Sequence, residues 1–329
     1  MPVVLLTDPI DPAETARLQQ VAEVRLLGEA QAGPLEDEII EANAVIVRRP
    51  IPSALLPAAT SLRALIRHGV GLDFIPVEAA SAAGIAVTNT PDTNAQSVAE
   101  HVFGLILGLH RRIARNDRLI RTGEWHTLRA EAPALHEIAG MTLGVIGFGS
   151  IGEAVARIGH FGFGMNVMAA RQTPRLGPDW VEFSSIREIA SLADVLVIAC
   201  PLTPSTRGIV DARLISAMRK DAIIINAARG AIIDEMALVT ALREQRIAGA
   251  ALDVFSQQPL PEDSPLRSCA NLLISPHVAG ITCESMRRMS EVAVSDTLLA
   301  LKGKKPKHLV NFSAWPEIAK RWSDSLKST

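Results

Sequence analysis

Tyrosine is absent from this 329-residue chain, and aromatic residues make up only 4% of it. A stacking platform for single-stranded nucleic acid or sugars needs successive aromatic faces, so neither is an expected partner. Charge of one sign is missing too. The 33 Lys+Arg stand against 35 Asp+Glu, a net −2, which builds no basic field for nucleic acid or an anionic membrane. Cys200, Cys269 and Cys283 are too few and too scattered for a disulfide framework or a zinc cluster, and no metal site is expected. Cys200 and Cys283 have no sequence neighbour that would activate a thiolate, so small buried apolar roles are expected of both. The longest apolar run, Val102–Leu109, lies between two histidines and falls far short of the ~20 residues that span a bilayer. The start, Met-Pro-Val-Val-Leu-Leu, has no basic stretch and no cleavage site. The expectation is a soluble, cytoplasmic protein without a signal peptide.

The chain is rich in short aliphatic runs. With 48% hydrophobic residues and about twice the ~150 residues of an ordinary domain, two cores are expected. Val3–Leu6, Val45–Val47, Leu65–Ile66 and Ile85–Val87 read as strands, separated by helical patterns at Ala13–Gln20, Leu35–Glu41 and Pro76–Ala83. A second strand series follows at Leu143–Ile146, Val167–Ala170, Val195–Ala199, Ile223–Ile225, Ala250–Val254 and Leu272–Ser275. Continuous apolar strands alternating with helices predict an α/β fold with parallel sheets covered on both faces. Between the two series, one long helix is expected from Ser97 through Ile113 to Ile120, stopped by Gly123, as a structural spine or dimer contact. Trp125 is expected to pack its end. A last helix is expected from Glu284 to about Leu301, and the Lys302–Lys307 run reads as a solvated turn.

A glycine loop falls where a strand gives way to a helix. Thr142-Leu-Gly-Val-Ile-Gly147-Phe-Gly149-Ser-Ile-Gly152 has the G-x-G-x-x-G spacing of a dinucleotide site. Gly147 allows the tight turn, Gly149 lets backbone approach a pyrophosphate, and Gly152 lets helix and strand pack closely. The N–H groups of Ser150 and Ile151 would face the anion at the helix start. A protein reading the free ribose 2′-hydroxyl carries Asp or Glu about 20 residues on. Here the next strand ends Ala169-Ala170-Arg171-Gln-Thr-Pro-Arg175, without an acid. Arg171 and Arg175 suit a 2′-phosphate, so NADP(H) is expected in preference to NAD(H), which remains possible. Ordinary surface arginines are the competing account.

Three later motifs follow strand ends, where open parallel sheets hold ligands. They are Asn226-Ala-Ala-Arg229-Gly230, Ala251-Leu-Asp253-Val-Phe-Ser-Gln-Gln258-Pro259, and Ser275-Pro276-His277-Val-Ala-Gly280. Arginine binds a carboxylate bidentately and polarises a neighbouring carbonyl, and histidine supplies the proton an alkoxide needs as hydride arrives. Beside a nucleotide site, that pair suggests hydride chemistry on a small oxyacid. Taken singly, Arg229 also fits a phosphate contact or a surface residue, and His277 a satisfied loop histidine.

Together with Gly69-Val-Gly71-Leu-Asp73, Asn89-Thr-Pro91, Ser97-Val-Ala-Glu-His101 and Cys200-Pro-Leu-Thr-Pro204, these stretches give nearly the whole chain a resemblance to the D-isomer-specific 2-hydroxyacid dehydrogenases, particularly the phosphoglycerate dehydrogenase and hydroxypyruvate/glyoxylate reductase branches. The resemblance implies two doubly wound domains. One is flavodoxin-like and substrate-binding, over 1–96 and 284–329; the other is a Rossmann dinucleotide domain over 97–283. It also implies a cleft closed by hinge motion and a homodimer. By its pattern Arg229 binds the substrate carboxylate and carbonyl, and His277 is the acid/base. Val70 and Gly71 offer backbone N–H groups to the carboxylate, and Arg48 reaches the distal part of the substrate. Asp253 contacts the nicotinamide side of the cofactor, and Pro201, Leu202, Ala227 and Gly280 line its cleft. The expected reaction is reduction of a small 2-keto acid, such as glyoxylate or hydroxypyruvate, to a D-2-hydroxy acid. Two residues depart from the pattern. Arg49 beside Arg48 suits either a second anionic group or a solvated loop. Gln258 stands where the family usually has Glu: it orients the histidine but carries no charge to stabilise imidazolium. A His–Gln pair also resembles the formate dehydrogenase branch, where hydride leaves without proton transfer, and non-catalytic nucleotide sensors share the scaffold. Both stand as alternatives.

Overall fold

The computed structural model describes residues 1–28, 33–172 and 177–327. It divides into two compact units, one of residues 1–94 with 281–329 and one of residues 95–280.

The first unit runs β1 (Val3–Leu6), α1 (Pro12–Gln19), β2 (Glu23–Leu26), α2 (Leu35–Glu41), β3 (Ala44–Val47), β4 (Ala64–Arg67), α3 (Val77–Ala82) and β5 (Ala86–Thr88). Helices α11 (Cys283–Leu301) and α12 (Trp315–Lys327) from the end of the chain complete it. The five strands are parallel in the order β2-β1-β3-β4-β5, a flavodoxin-like arrangement. Because strand side chains alternate, each strand feeds two cores. Val4, Leu6, Ile46 and Ile66 pack with Ala293, Val294, Ile318 and Trp322 on one face. Leu5, Val45, Leu65 and Val87 pack with Ile39 and Leu62 on the other. The helix starts are set locally. Asp11 accepts from the amides of Ala13 and Glu14 ahead of Pro12, and Thr282 and Ser285 cap α11 reciprocally.

The second unit opens with α4 (Ala95–His110), α5 (Ile113–Ile120) and α6 (Trp125–Glu131). It continues with β6 (Thr142–Ile146), α7 (Ser150–Arg157), β7 (Asn166–Ala170), β8 (Val181–Phe183), α8 (Ile186–Leu192), β9 (Val195–Ile198), α9 (Ala212–Ala217), β10 (Ile223–Asn226), α10 (Glu235–Arg243), β11 (Gly249–Leu252) and β12 (Leu272–Ile274). Its seven strands are parallel in the order β12-β11-β10-β9-β6-β7-β8. This is the doubly wound Rossmann order, and the strand sequence reverses between β6 and β9. Ile146, Ile198, Ile224 and Leu252 face α8–α10, while Val145, Val197, Ile225 and Ala251 face α4 and α7.

The fold class expected from the strand pattern is the one observed, with three corrections. The single long helix is broken: α4 ends at His110, and Arg112 takes a left-handed φ of 52° before α5 begins. Two consecutive arginines interrupt the apolar stripe there, and α5 buries no residue. Trp125 starts α6 and is exposed instead of packing a helix end. Cys283 is the exposed first residue of α11 and has no buried apolar role, whereas Cys200 and Cys269 are buried. Strands β2 and β8 and helix α12 have no counterpart in the sequence reading. Among the described residues no helix is long and apolar enough to cross a membrane.

Candidate active site

The glycine loop lies at the reversal of strand order. Gly147 has φ 98°, and a Cβ on it would stand 2.5 Å from the Cys200 amide, so the turn after β6 can pass the end of β9 only as glycine. A Cβ on Gly152 would collide with the Gly147 carbonyl. Gly149 differs: a Cβ there would meet nothing within 4 Å, so open space fronts the start of α7. Gly149 is also the N-cap of α7 and carries no side chain that could cap the helix. An anion at this helix start therefore meets backbone N–H groups and the positive end of the helix dipole. Beyond β7, the Arg171 guanidinium lies over the Phe183 ring, 3.8 Å from its centroid. Its Nη1 is buried without an acceptor among the described residues. The cradle and this orphaned donor fit a phosphorylated dinucleotide. Arg175 lies outside the described residues. Past β9, Pro201 is exposed and its carbonyl accepts from Thr206 Oγ1, while Leu202 and Ala227 are half-buried.

After β10 the chain is pinned by Asn226, which is fully buried. Its Oδ1 accepts from the Ala228 amide at 3.0 Å and its Nδ2 donates to the Arg229 carbonyl at 3.0 Å. Arg229 is half-buried, with Nη1 donating to the Ala228 carbonyl at 2.7 Å. A Cβ on Gly230 would run into the Phe255 backbone, so the residue after the arginine has to be small.

His277 sits in a loop with φ 58°, a conformation that only surrounding contacts can hold in a non-glycine residue. Asp253 supplies them. It is 1% exposed; Oδ1 accepts from Ser275 Oγ at 2.6 Å and the Val278 amide at 3.0 Å, and Oδ2 from the Ala279 amide at 2.8 Å. Ser275 Oγ spends its hydrogen on Asp253, so it accepts from His101 Nε2 at 3.0 Å. Gln258 engages the ring itself. Its Nε2 donates to the Phe255 carbonyl at 3.2 Å, which leaves Oε1 to accept from His277 Nδ1 at 2.8 Å. The neutral ring thus carries its proton on Nδ1. Gly280, half-buried, closes the loop.

In the first unit the turn after β4 makes a nest. Asn89 Nδ2 holds the Val70 carbonyl at 2.8 Å and Arg67 Nε holds the Gly71 carbonyl at 3.0 Å. The amides of Val70 and Gly71 have no acceptor among the described residues. Such paired donors bind anions. Arg48 donates through Nη1 to the Pro9 carbonyl at 2.9 Å, and Arg49 is taken up by Asp8 at 2.9 Å, which leaves it a poor candidate for a second anion.

Sequence reasoning gave no role to Asn226, His101, Ser275 or Phe183. The first three lie in quoted motifs, where a polar residue ahead of Arg229 and two hydroxyl- or imidazole-bearing partners were visible signals. Phe183 had none, since its partner Arg171 meets it only across two neighbouring strands.

A doubly wound domain with a glycine loop at its strand reversal, an arginine and a braced imidazole at strand ends defines a nucleotide-dependent oxidoreductase. Residues 103–279 match the NAD-binding domain of the D-isomer-specific 2-hydroxyacid dehydrogenases. The chain is 36% identical to a glyoxylate reductase of Aeropyrum pernix, over 94% of this chain and 96% of that protein. It is 35% identical to a D-3-phosphoglycerate dehydrogenase of Methanocaldococcus jannaschii, over 95% of this chain and 60% of that longer one. It also superposes with a TM-score of 0.82 and 31% identity on the NADPH-dependent glyoxylate/hydroxypyruvate reductase of Sinorhizobium meliloti solved with NADP and malonate, covering 96% of this chain and 98% of that one. The chain belongs to the D-isomer-specific 2-hydroxyacid dehydrogenase family, the NAD(P)-dependent oxidoreductases of 2-hydroxy acids.

Proposed function

We propose that the protein reduces a small 2-keto acid of the glyoxylate or hydroxypyruvate type to its D-2-hydroxy acid, with NADP(H) preferred over NAD(H). The observation that carries this reading is the braced imidazole of His277, with Nδ1 committed to Gln258 at 2.8 Å. Proton exchange with a substrate oxygen then falls to Nε2. When bound, the reduced nicotinamide supplies hydride to the carbonyl carbon. Arg229 holds the carboxylate and draws charge onto the carbonyl oxygen. His277, as imidazolium, delivers the proton to that oxygen. The Val70 and Gly71 amides and the Arg48 guanidinium hold the substrate's anionic and distal groups. The residues that would hold the dinucleotide are Gly147–Gly152 at the pyrophosphate, Pro201, Ala227, Asp253 and Gly280 along the nicotinamide, and Arg171 with Arg175 at the ribose phosphate. The absence of an acid after β7 and the unsatisfied Arg171 Nη1 support NADP(H). Residues 1–96 and 284–329 serve as the substrate domain, and 97–283 as the dinucleotide domain.

The test is oxidation of NADPH and NADH with glyoxylate, hydroxypyruvate, phosphohydroxypyruvate and pyruvate across pH, with formate oxidation alongside. Turnover of the first two keto acids, faster with NADPH, is the expected result. Gln258→Glu adds the missing charge beside the ring and is expected to move the alkaline limb of keto-acid reduction up by about 1–3 pH units. An unmoved limb would refute the role of residue 258. A second reading is favoured by the uncharged Gln258 side chain beside His277: hydride abstraction from formate, which asks for no proton. Formate oxidation without keto-acid turnover would establish it, and cofactor binding without any turnover would mark a sensor.

We also propose a homodimer through α5 and α6. Neither helix buries a residue within the chain, yet Ile113, Ile120 and Trp125 are 54%, 38% and 59% exposed. Apolar surface of that kind is covered by a second copy in a symmetric assembly. Sedimentation equilibrium should give the mass of two chains, and Ile120→Asp the mass of one. A monomeric wild type would refute it.

A further inference from the structure

The way Arg171 is held points to a residue that sets cofactor choice from behind. Phe183 ends β8 and pairs in register with Ala169 of β7, so its ring stands beside the residue that follows that strand. The Arg171 guanidinium lies flat enough over this ring to bring its carbon within 3.8 Å of the centroid. No carboxylate or carbonyl among the described residues accepts from Arg171, and Nη1 is buried without a partner. An arginine fixed by an ion pair would have spent its N–H donors and its charge. One fixed by stacking keeps both, because the contact uses the face of the guanidinium and leaves its edge for an acceptor.

The ring under it is itself braced. Phe148, the residue between Gly147 and Gly149 of the phosphate loop, meets Phe183 edge-on with centroids 5.1 Å apart and planes at 85°. On another side Gly177 lies so close that a Cβ there would run into the Phe183 ring. The platform is therefore mechanically joined to the loop that cradles the pyrophosphate, and glycine at 177 makes room for it.

We propose that Phe183 is a positioning residue for cofactor specificity: it orients the Arg171 guanidinium edge-on toward a phosphate monoester on the cofactor's ribose, so that the 2′-phosphate is recognised through Arg171 while the ring touches no part of it. This rests on the NADP(H) reading above and adds the residue that makes Arg171 selective. Removing the ring frees a flexible side chain that must be reordered each time the phosphate binds, which weakens the phosphorylated cofactor alone.

Calorimetric titration of NADP+ and NAD+ into wild type, Phe183→Leu and Phe183→Tyr tests it without reference to turnover. Wild type should bind NADP+ more tightly than NAD+. Phe183→Leu should lose on the order of tenfold in NADP+ affinity with NAD+ affinity unchanged, and Phe183→Tyr, which keeps the π face, should restore the preference. If Phe183→Leu weakens both cofactors equally, or leaves the NADP+ preference intact, the platform is overturned while the NADP(H) reading stands. A wild type that prefers NAD+ overturns the NADP(H) reading itself, and this proposal with it.

Discussion

Asp253→Asn should lower kcat on the order of 10²-fold and destabilise the second unit by about 1–3 kcal/mol. The carboxylate is an acceptor only, and all three of its partners are donors: the Ser275 hydroxyl and the amides of Val278 and Ala279. An amide of the same shape has one acceptor oxygen. Either orientation sets its NH2 against at least one N–H or O–H donor at a site 1% exposed, where water cannot intervene. The loop then relaxes at the place where His277 holds a φ of 58°. His277 and Gln258 are on different segments, and their 2.8 Å bond depends on that loop. On the proposed role of His277 as proton donor, a displacement near 1 Å costs about 10²-fold in rate. Ser275→Ala should cost less, since it removes one donor and leaves two. Urea unfolding and steady-state kinetics, with far-UV circular dichroism as the control for folding, read the two effects. A variant with wild-type kcat would show that Asp253 does not hold the histidine.

What could be read from residues alone followed from how completely each element is buried. Central strands such as Val45–Val47 and Ile223–Ile225 are apolar at every position because helices cover both faces, and they announce a parallel sheet. The edge strands β2 and β8 carry Glu23, Arg25 and Glu182 among their apolar residues, and so lack the continuous apolar run of a buried strand. The break after α4 depends on the left-handed Arg112, which no periodicity signals. The glycine loop was legible because its chemistry is local, three glycines at fixed spacing in front of one helix. Arg229 and His277 were legible by residue type at strand ends. Their supports were less so. Asn226 binds within three residues of itself, but the chain His101–Ser275–Asp253 draws on α4, β11 and the loop after β12. Only the tertiary fold brings those together.

The first unit should lose stability on acidification at one buried histidine. His68 follows the last residue of β4, is 2% exposed, and shares a hydroxyl with two other groups. Ser290 Oγ donates to the Met286 carbonyl at 2.7 Å, so it accepts from the Asp11 amide at 3.0 Å and from His68 Nε2 at 2.9 Å. That fixes the tautomer and leaves Nδ1 as a bare acceptor, buried and without a partner among the described residues. Protonation would place a charge at this buried site, which the His68 and Met286 backbone carbonyls offset only in part. Burial, then the charges of Arg48 and Arg67, push the ring's pKa down to about 3. In the unfolded chain the same ring takes its proton near the ordinary 6.5. Between those two values the unfolded state binds one more proton than the folded one, so stability rises with pH. It is complete above pH 6.5 and falls by about 1.4 kcal/mol for each pH unit below that. His68→Gln keeps an N–H donor for Ser290 and removes the titration. Urea unfolding of wild type and variant at pH 5.0, 6.0 and 7.5 isolates the effect, because every other titrating group cancels in the difference. The wild type should lose about 2 kcal/mol more than the variant between pH 7.5 and 5.0, and parallel pH dependences would mean that the ring takes its proton equally readily in the folded and unfolded states.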